Sequence, residues 1–261
     1  MTLIKMELKR NGKSLLIWSV VIGGMILLCL LLYPELKKEV DSLEEALKNM
    51  GGVTAAFGMD RLNYGELMGF YGIYGGSMLG IGGIFYSAIL GAGMLAREEQ
   101  EHTAEFLLTH PVSREKIFFQ KLSSMAILLV LMNSIVILFS CVSFAMIGEK
   151  PDWDVFWIYH GAQVLMQMEI LGICCGISAF IRRGSVSLGI GVAALLYFLG
   201  LFSNITDKAE AAKYLTPYAY ADAAKIISEK GMDEKLALLG IAYGLIGIGV
   251  GFWKYRRKDI L

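Results

Sequence analysis

The sequence predicts an all-α polytopic membrane protein with six transmembrane helices, and three observations carry that expectation. Of its 261 residues 56% are hydrophobic and the mean hydropathy is +0.56, more apolar than a soluble domain of this size needs to fill its core. Six apolar runs are long enough, or nearly so, to cross the bilayer. A span needs ~20 residues, each rising about 1.5 Å, to cover ~30 Å of hydrocarbon. Lys and Arg are shared unevenly between the segments that join these runs, which orients the chain.

The spans are expected at 14–33, 69–95, 122–147, 157–181, 185–202 and 236–253, the fifth being the shortest. The first is too long for a secretory signal, and Tyr33-Pro34-Glu35 after it offers no small-residue cleavage site. Before it, residues 1–13 place Met1, Ile4 and Leu8 on one face with Lys5 and Lys9 elsewhere. They read as a short elbow helix in the inner interface. The segment 34–68 contains Leu36, Val40, Leu43, Leu47 and Met50, a helical spacing with charged flanks ended by Gly51-Gly52. It is expected to lie on the outer surface or to cap the bundle. The segment 203–235 is the second structured outer loop. Pro217 breaks it, residues 221–230 read as a helix ended by Gly231, and Tyr214, Tyr218 and Tyr220 suit the headgroup zone.

With both termini on one side, that side carries fourteen Lys and Arg in 50 residues against ten in 77 on the other. Arginine is more lopsided still, seven against Arg61 alone. Both termini and the 96–121 loop are therefore expected in the cytoplasm. Glycines recur at Gly72, Gly76 and Gly80, at Gly172 and Gly176, and at Gly240, Gly244, Gly247 and Gly251. Such small-residue stripes let helices approach closely where lipid supplies no hydrophobic drive.

Zero net charge excludes the basic excess usual in nucleic-acid binders. Cys29, Cys141, Cys174 and Cys175 all lie in apolar runs and read as small hydrophobes. The sequence has no P-loop, no H-E-x-x-H and no G-x-S-x-G. The histidines His102, His110 and His160 are expected in loops or at an interface, without partners at metal-ligand spacing. No catalytic constellation and no resident cofactor is expected. One ionisable residue falls inside a span. Glu169 costs about 2.5–3.5 kcal/mol at mid-depth, so it should face the bundle. It is either a polar contact for substrate or a coupling proton, or a hydrogen bond between helices or at a dimer interface. Gln163 and Gln167 are near it but do not share its face.

The stretch "AREEQEHTAEFLLTHPVSREKIFFQK" at 96–121 interrupts the apolar pattern. Residues 103–109 make about two helical turns. They follow Glu98, Glu99 and Glu101, acids that favour a helix amino terminus, and Phe106, Leu107 and Leu108 give an apolar side. Pro111 stops the helix and Ser113 caps the next one. Arg114, Lys116 and Lys121 suit the inner membrane surface. A short helix with acids and apolar groups reads either as a docking surface or as a solvated loop.

This stretch resembles the cytoplasmic loop of ABC-2-type permeases, the membrane subunits of ATP-driven exporters. That loop runs approximately E-x-x-x-G-T-x-E-x-L-L-x-x-P-[VI]-[ST]-R. Glu98, Thr103, Glu105, Leu107, Leu108, Pro111, Val112, Ser113 and Arg114 match it, and His102 stands where the family has glycine. "AAFGMD" at 55–60, "YLTPYAYAD" at 214–222 and the ending "YRRKDIL" are similar to further pieces of the family, in the right order. The resemblance implies an ABC-2-type exporter permease fold, with residues 1–261 forming a single transmembrane permease domain. It implies that 96–121 is a coupling helix that enters a groove on a separate ATPase subunit. Glu98, Thr103, Glu105, Leu107 and Leu108 would be the contact, and Pro111, Ser113 and Arg114 the hinge into the third span. The partner ATPase would bind ATP and Mg. A second permease, identical or not, would complete the pore in a bacterial plasma membrane, among lipid and without nucleic acid. The alternative is a self-contained secondary transporter or channel. That class should show internal repeats or several intramembrane ionisable residues.

Overall fold

The computed structural model describes residues 2–40, 52–100, 113–181, 185–205 and 207–257. Six long helices fill it: α1 (Thr2–Leu36), α3 (Leu67–Gln100), α4 (Arg114–Ile147), α5 (Trp153–Ser178), α6 (Ser185–Ile205) and α9 (Glu234–Arg257). Short helices α2 (Gly52–Ala56), α7 (Tyr218–Ala221) and α8 (Ala223–Glu229) sit between them, and no strand occurs among the described residues. All six long helices have the length and hydropathy of a membrane span.

The helix ends follow local chemistry. Pro34 lies in the last turn of α1, where it lacks the N–H that would continue the ladder. The chain then tightens into a 3-10 turn over Lys37–Glu39. Ser113 caps α4 by accepting from the Lys116 backbone N–H at 3.3 Å. Gly148 ends that helix in the left-handed region at φ 75°, its N–H returning to the Phe144 carbonyl at 3.0 Å. Asp152 opens α5 by accepting from the Val155 N–H at 3.4 Å. That bond, with the Lys230 ammonium beside it, holds the Asp152 carboxyl below its usual range.

α3 and α5 form the centre. In their most apolar stretches 78% and 67% of residues are buried, against 22% in both α6 and α9. α1 lies along α4 and touches α3, α6 covers another side of α3, and α9 packs on α5. Exposed leucines and aromatics such as Leu16, Leu28, Phe198, Leu238 and Leu245 then face outward, as lipid-facing surfaces of a membrane bundle should. The start of α1 and the end of α9 lie at one end of the bundle, where Arg97 of α3 bonds Asn11 of α1 and Arg114 of α4 bonds Arg256 of α9. The opposite end, called the far end below, carries α2, α7 and α8.

Four expectations change. The first thirteen residues are not a separate elbow: from Thr2 they belong to the same helix as the first span. The far-end helix α8 stops at Glu229, and the left-handed residue is Lys230 at φ 52°, not Gly231. Tyr214 is exposed as a headgroup residue should be, but Tyr220 is 2% exposed and Tyr218 half-buried. The stripe Gly72, Gly76, Gly80 does not meet another span. A side chain at Gly72 would strike Ile227, and one at Gly76 would strike Ala223 at 2.6 Å. The stripe therefore makes room for the far-end segment, which enters the bundle. The amphipathic pattern from Leu36 to Met50 falls largely outside the described residues.

Candidate functional site

The 96–121 loop leaves α3 and returns into α4 at the end that carries the termini. Glu98 falls in the last turn of α3; its side chain, and all of Thr103, Glu105, Leu107, Leu108 and Pro111, lie outside the described residues. What the structure does place is the base of the loop. Ser113 is the cap of α4, and Arg114 Nη1 donates to the Arg256 carbonyl at 3.5 Å. Glu115 pairs with Arg256 at 3.3 Å, both side chains about half exposed, so the pair contributes little by itself. Apolar contact does more: the rings of Phe118 and Phe119 each lie 5.3 Å from that of Phe252, and Tyr255 joins them.

Behind these rings sits a residue that the sequence reading leaves at the membrane surface. Lys121 is 1% exposed, and its Nζ donates to the Met94 carbonyl of α3 at 2.6 Å. Nearby, Arg97 Nη1 donates to Asn11 Oδ1 at 3.1 Å, Asn11 donates to the Glu7 carbonyl at 2.9 Å, and Arg10 pairs with Glu7 at 3.3 Å. The two helices that carry the loop are thus tied to each other and to α1 and α9. Helical register held the clue: Ile117, Lys121, Met125 and Leu128 share one buried face.

Lys121→Met keeps the volume and removes the ammonium. The Met94 carbonyl retains its place in the helical ladder, but the bond that ties α4 to α3 is lost. The expected result is a stability lowered by about 1.5–3 kcal/mol, the usual worth of a hydrogen bond from a charged group. Melting of the purified variant beside the parent checks this.

The second cluster lies within the spans. Glu169 is 4% exposed and faces the bundle, where its Oε2 accepts from the Tyr220 hydroxyl at 2.7 Å. Gly240 of α9 leaves the space for that carboxylate, since a Cβ there would meet both Glu169 and Tyr220. The partner therefore comes from α7, a far-end element, and neither Gln163 nor Gln167 is involved. Tyr218 follows the same path inward, its hydroxyl donating to the Gly80 carbonyl at 2.8 Å. Thr216 donates to the Leu196 carbonyl at 2.8 Å. Each of these bonds satisfies a polar group that hydrocarbon could not, which is why the tyrosines leave the headgroup zone.

His160 is also corrected. It sits in the third turn of α5, 2% exposed, with Nε2 bonded to the Tyr71 hydroxyl at 2.9 Å. Tyr71 in turn bonds Ser140 of α4 at 2.9 Å. On the same face, Gln167 accepts from Asn133 of α4 at 2.6 Å, and Gln163 donates to the Ala221 carbonyl at 2.9 Å. The offsets of three and four between positions 160, 163 and 167 mark one helical face. That periodicity was the available signal for a polar seam along the central helix.

Loss of the phenolic hydroxyl tests the bond between Tyr220 and Glu169. Tyr220→Phe leaves a buried carboxyl short of a partner and should destabilise the protein by about 1–3 kcal/mol. Glu169→Gln preserves an acceptor for Tyr220 and should leave assembly and transport intact, as a purely structural bond requires. Melting of both purified variants and transport by the second check this; loss of transport in well-folded Glu169→Gln would point instead to the coupling-proton role.

No group of three metal-ligating side chains occurs among the described residues, and the four cysteines are free. The arrangement is a polar-seamed bundle with a knitted base below an interhelical loop. No curated protein matches the chain. The model of the family described as ABC-2 family transporter protein matches residues 1–260, which is essentially the whole chain, and the protein belongs to that family.

Proposed function

We propose that the chain is the membrane-spanning permease subunit of an ATP-driven exporter, and that it engages a separate cytoplasmic ATPase through the 96–121 loop. The match over residues 1–260 carries this reading, since it makes the chain a membrane component of ABC-type transport. The knitted base around Lys121 and Arg97 supports the finer claim. Motion imposed on the loop would move α3 and α4 together, with α1 and α9 attached.

In this reading Glu98, Thr103, Glu105, Leu107 and Leu108 contact the ATPase, and Pro111, Ser113 and Arg114 form the hinge into α4. The end that carries the termini faces the cytoplasm of a bacterium, as the Lys and Arg bias supports. ATP and Mg are held by the ATPase. A second permease, identical or different, completes the pathway through the membrane.

The test is co-purification. A tagged permease expressed with a candidate cytoplasmic ABC ATPase from the same source should bring that ATPase through size exclusion as one complex. A chain that purifies alone, and that moves solute when driven only by an ion gradient, would instead be the self-contained transporter.

A further inference from the structure

A cleft of about 60 Å³ opens at the far end between the starts of α3 and α5, the end of α6 and the α7–α8 segment. Its walls include Gln163, Asn204, Asp222, Phe57, Tyr197 and Tyr218. No Lys, Arg or His lines it. Asp222 is the only ionisable carboxylate in the lining, and it makes no ion pair among the described residues. Lys225, the nearest cation in sequence, is directed to Asp233 at 3.9 Å. Asp222 accepts from the Lys225 backbone N–H and from Asn204 Nδ2, both at 2.9 Å. A carboxylate has about four lone-pair sites, so acceptor capacity is left over.

Gln163 supplies the second, independent observation. Its residue is 1% exposed, and its Oε1 finds no hydrogen-bond partner in the structure. The orientation of the amide is not arbitrary: Nε2 donates to the Ala221 carbonyl, and an amide oxygen in that place would face another acceptor. A buried acceptor without a donor carries an uncompensated desolvation penalty, which a ligand with N–H groups would recover.

We propose that this cleft is a binding site for a primary ammonium group. Its N–H donors satisfy Gln163 Oε1 and the free lone pairs of Asp222. Its charge offsets the carboxylate, and the rings of Phe57, Tyr197 and Tyr218 add a π-rich wall of the kind that attracts cations. A volume of 60 Å³ is several times the ~10–15 Å³ that one water needs on the same kind of measure, and it suits a small aminomethyl head, not a whole drug-sized solute. The group is carried either by a soluble amine or by the ethanolamine headgroup of a lipid. As a station for exported solute the site rests on the permease reading, but binding itself needs no ATPase.

Binding is measured on the intact permease in choline-lipid nanodiscs by titration with methylammonium chloride at constant ionic strength. Methanol and tetramethylammonium chloride serve as the neutral and donor-free controls. Methylammonium should bind and both controls should bind at least about tenfold more weakly, the loss expected when charged hydrogen bonds are not made. Asp222→Asn keeps a good helix cap and should still fold, yet weaken methylammonium binding about tenfold or more. Gln163→Met should weaken it as well, with folding checked by melting. If ethanolamine-lipid nanodiscs abolish the titration, the headgroup is the natural occupant; if they leave it unchanged, a soluble amine is. Equal signals from methylammonium and methanol, or full binding by folded Asp222→Asn, would overturn the site while leaving ATP-driven transport untouched.

Discussion

Gly172→Leu should abolish accumulation of folded permease. Gly172 and Gly176 of α5 face Gly244 and Gly247 of α9 with no side chains between the backbones. A Cβ on Gly176 would lie 2.8 Å from the Gly247 carbonyl oxygen, and one on Gly247 would lie 2.5 Å from that of Gly172. At Gly172 the obstacle is the Gly244 carbonyl, so no rotamer change can relieve it. The helices must separate, and the bond from Tyr220 to Glu169 is carried at the same contact. Overpacking typically costs about 1–3 kcal/mol and more where backbone cannot yield, so ~3 kcal/mol or more is expected here. Gly161 lies on the same helix with nothing within 4 Å of an added Cβ. Gly161→Ala is therefore the control, and it should match the parent in size-exclusion yield and thermal midpoint. Equal yields for both variants would refute the close α5–α9 contact.

Replacing Leu107 and Leu108 together by Asp should release the ATPase and stop ATP-driven transport, with the bundle still folded. In the proposed contact the two leucines supply the apolar part. Each buried leucine contributes about 1.5–3 kcal/mol, so removal of both costs ~3–6 kcal/mol, or roughly a hundred- to ten-thousand-fold in affinity. Aspartate makes this worse, because a carboxylate buried in a groove loses its hydration. The loop lies outside the packed spans in sequence, so melting of the permease alone should not change. A double variant that retains the complex and its transport would remove the loop from the interface.

The spans were legible because bilayer thickness converts directly into a length of apolar sequence. Their ends were less so. The sequence begins the apolar run of the third span at residue 122 and places the helix cap at Ser113, and the structure bears out that cap: α4 begins at Arg114, where Arg114, Glu115, Lys116 and Lys121 lower the local hydropathy without stopping the helix. The first span likewise runs back to Thr2 through Lys5, Lys9 and Lys13. Glu169 could be singled out and aimed inward from its cost alone, but its partner Tyr220 lies 51 residues away in another element. Only the tertiary fold brings those two together. Gly72, Gly76 and Gly80 were visible as a stripe, yet a stripe does not say whether a helix or a folded-in segment will fill it. Lys121 and His160 were misplaced for one reason. Residue type suggested water or interface, while helical register put both on buried faces where a carbonyl and a phenol receive them.

The central question is whether this chain needs a separate motor. The direct measurement is reconstitution of the purified permease in liposomes, with and without a candidate ABC ATPase from the same source, followed by ATP hydrolysis and solute movement. The permease alone should hydrolyse no ATP and move no solute, and addition of the ATPase with Mg and ATP should start both together. Nucleotide hydrolysis by the permease alone, or solute movement driven by a proton or sodium gradient without the ATPase, would contradict it.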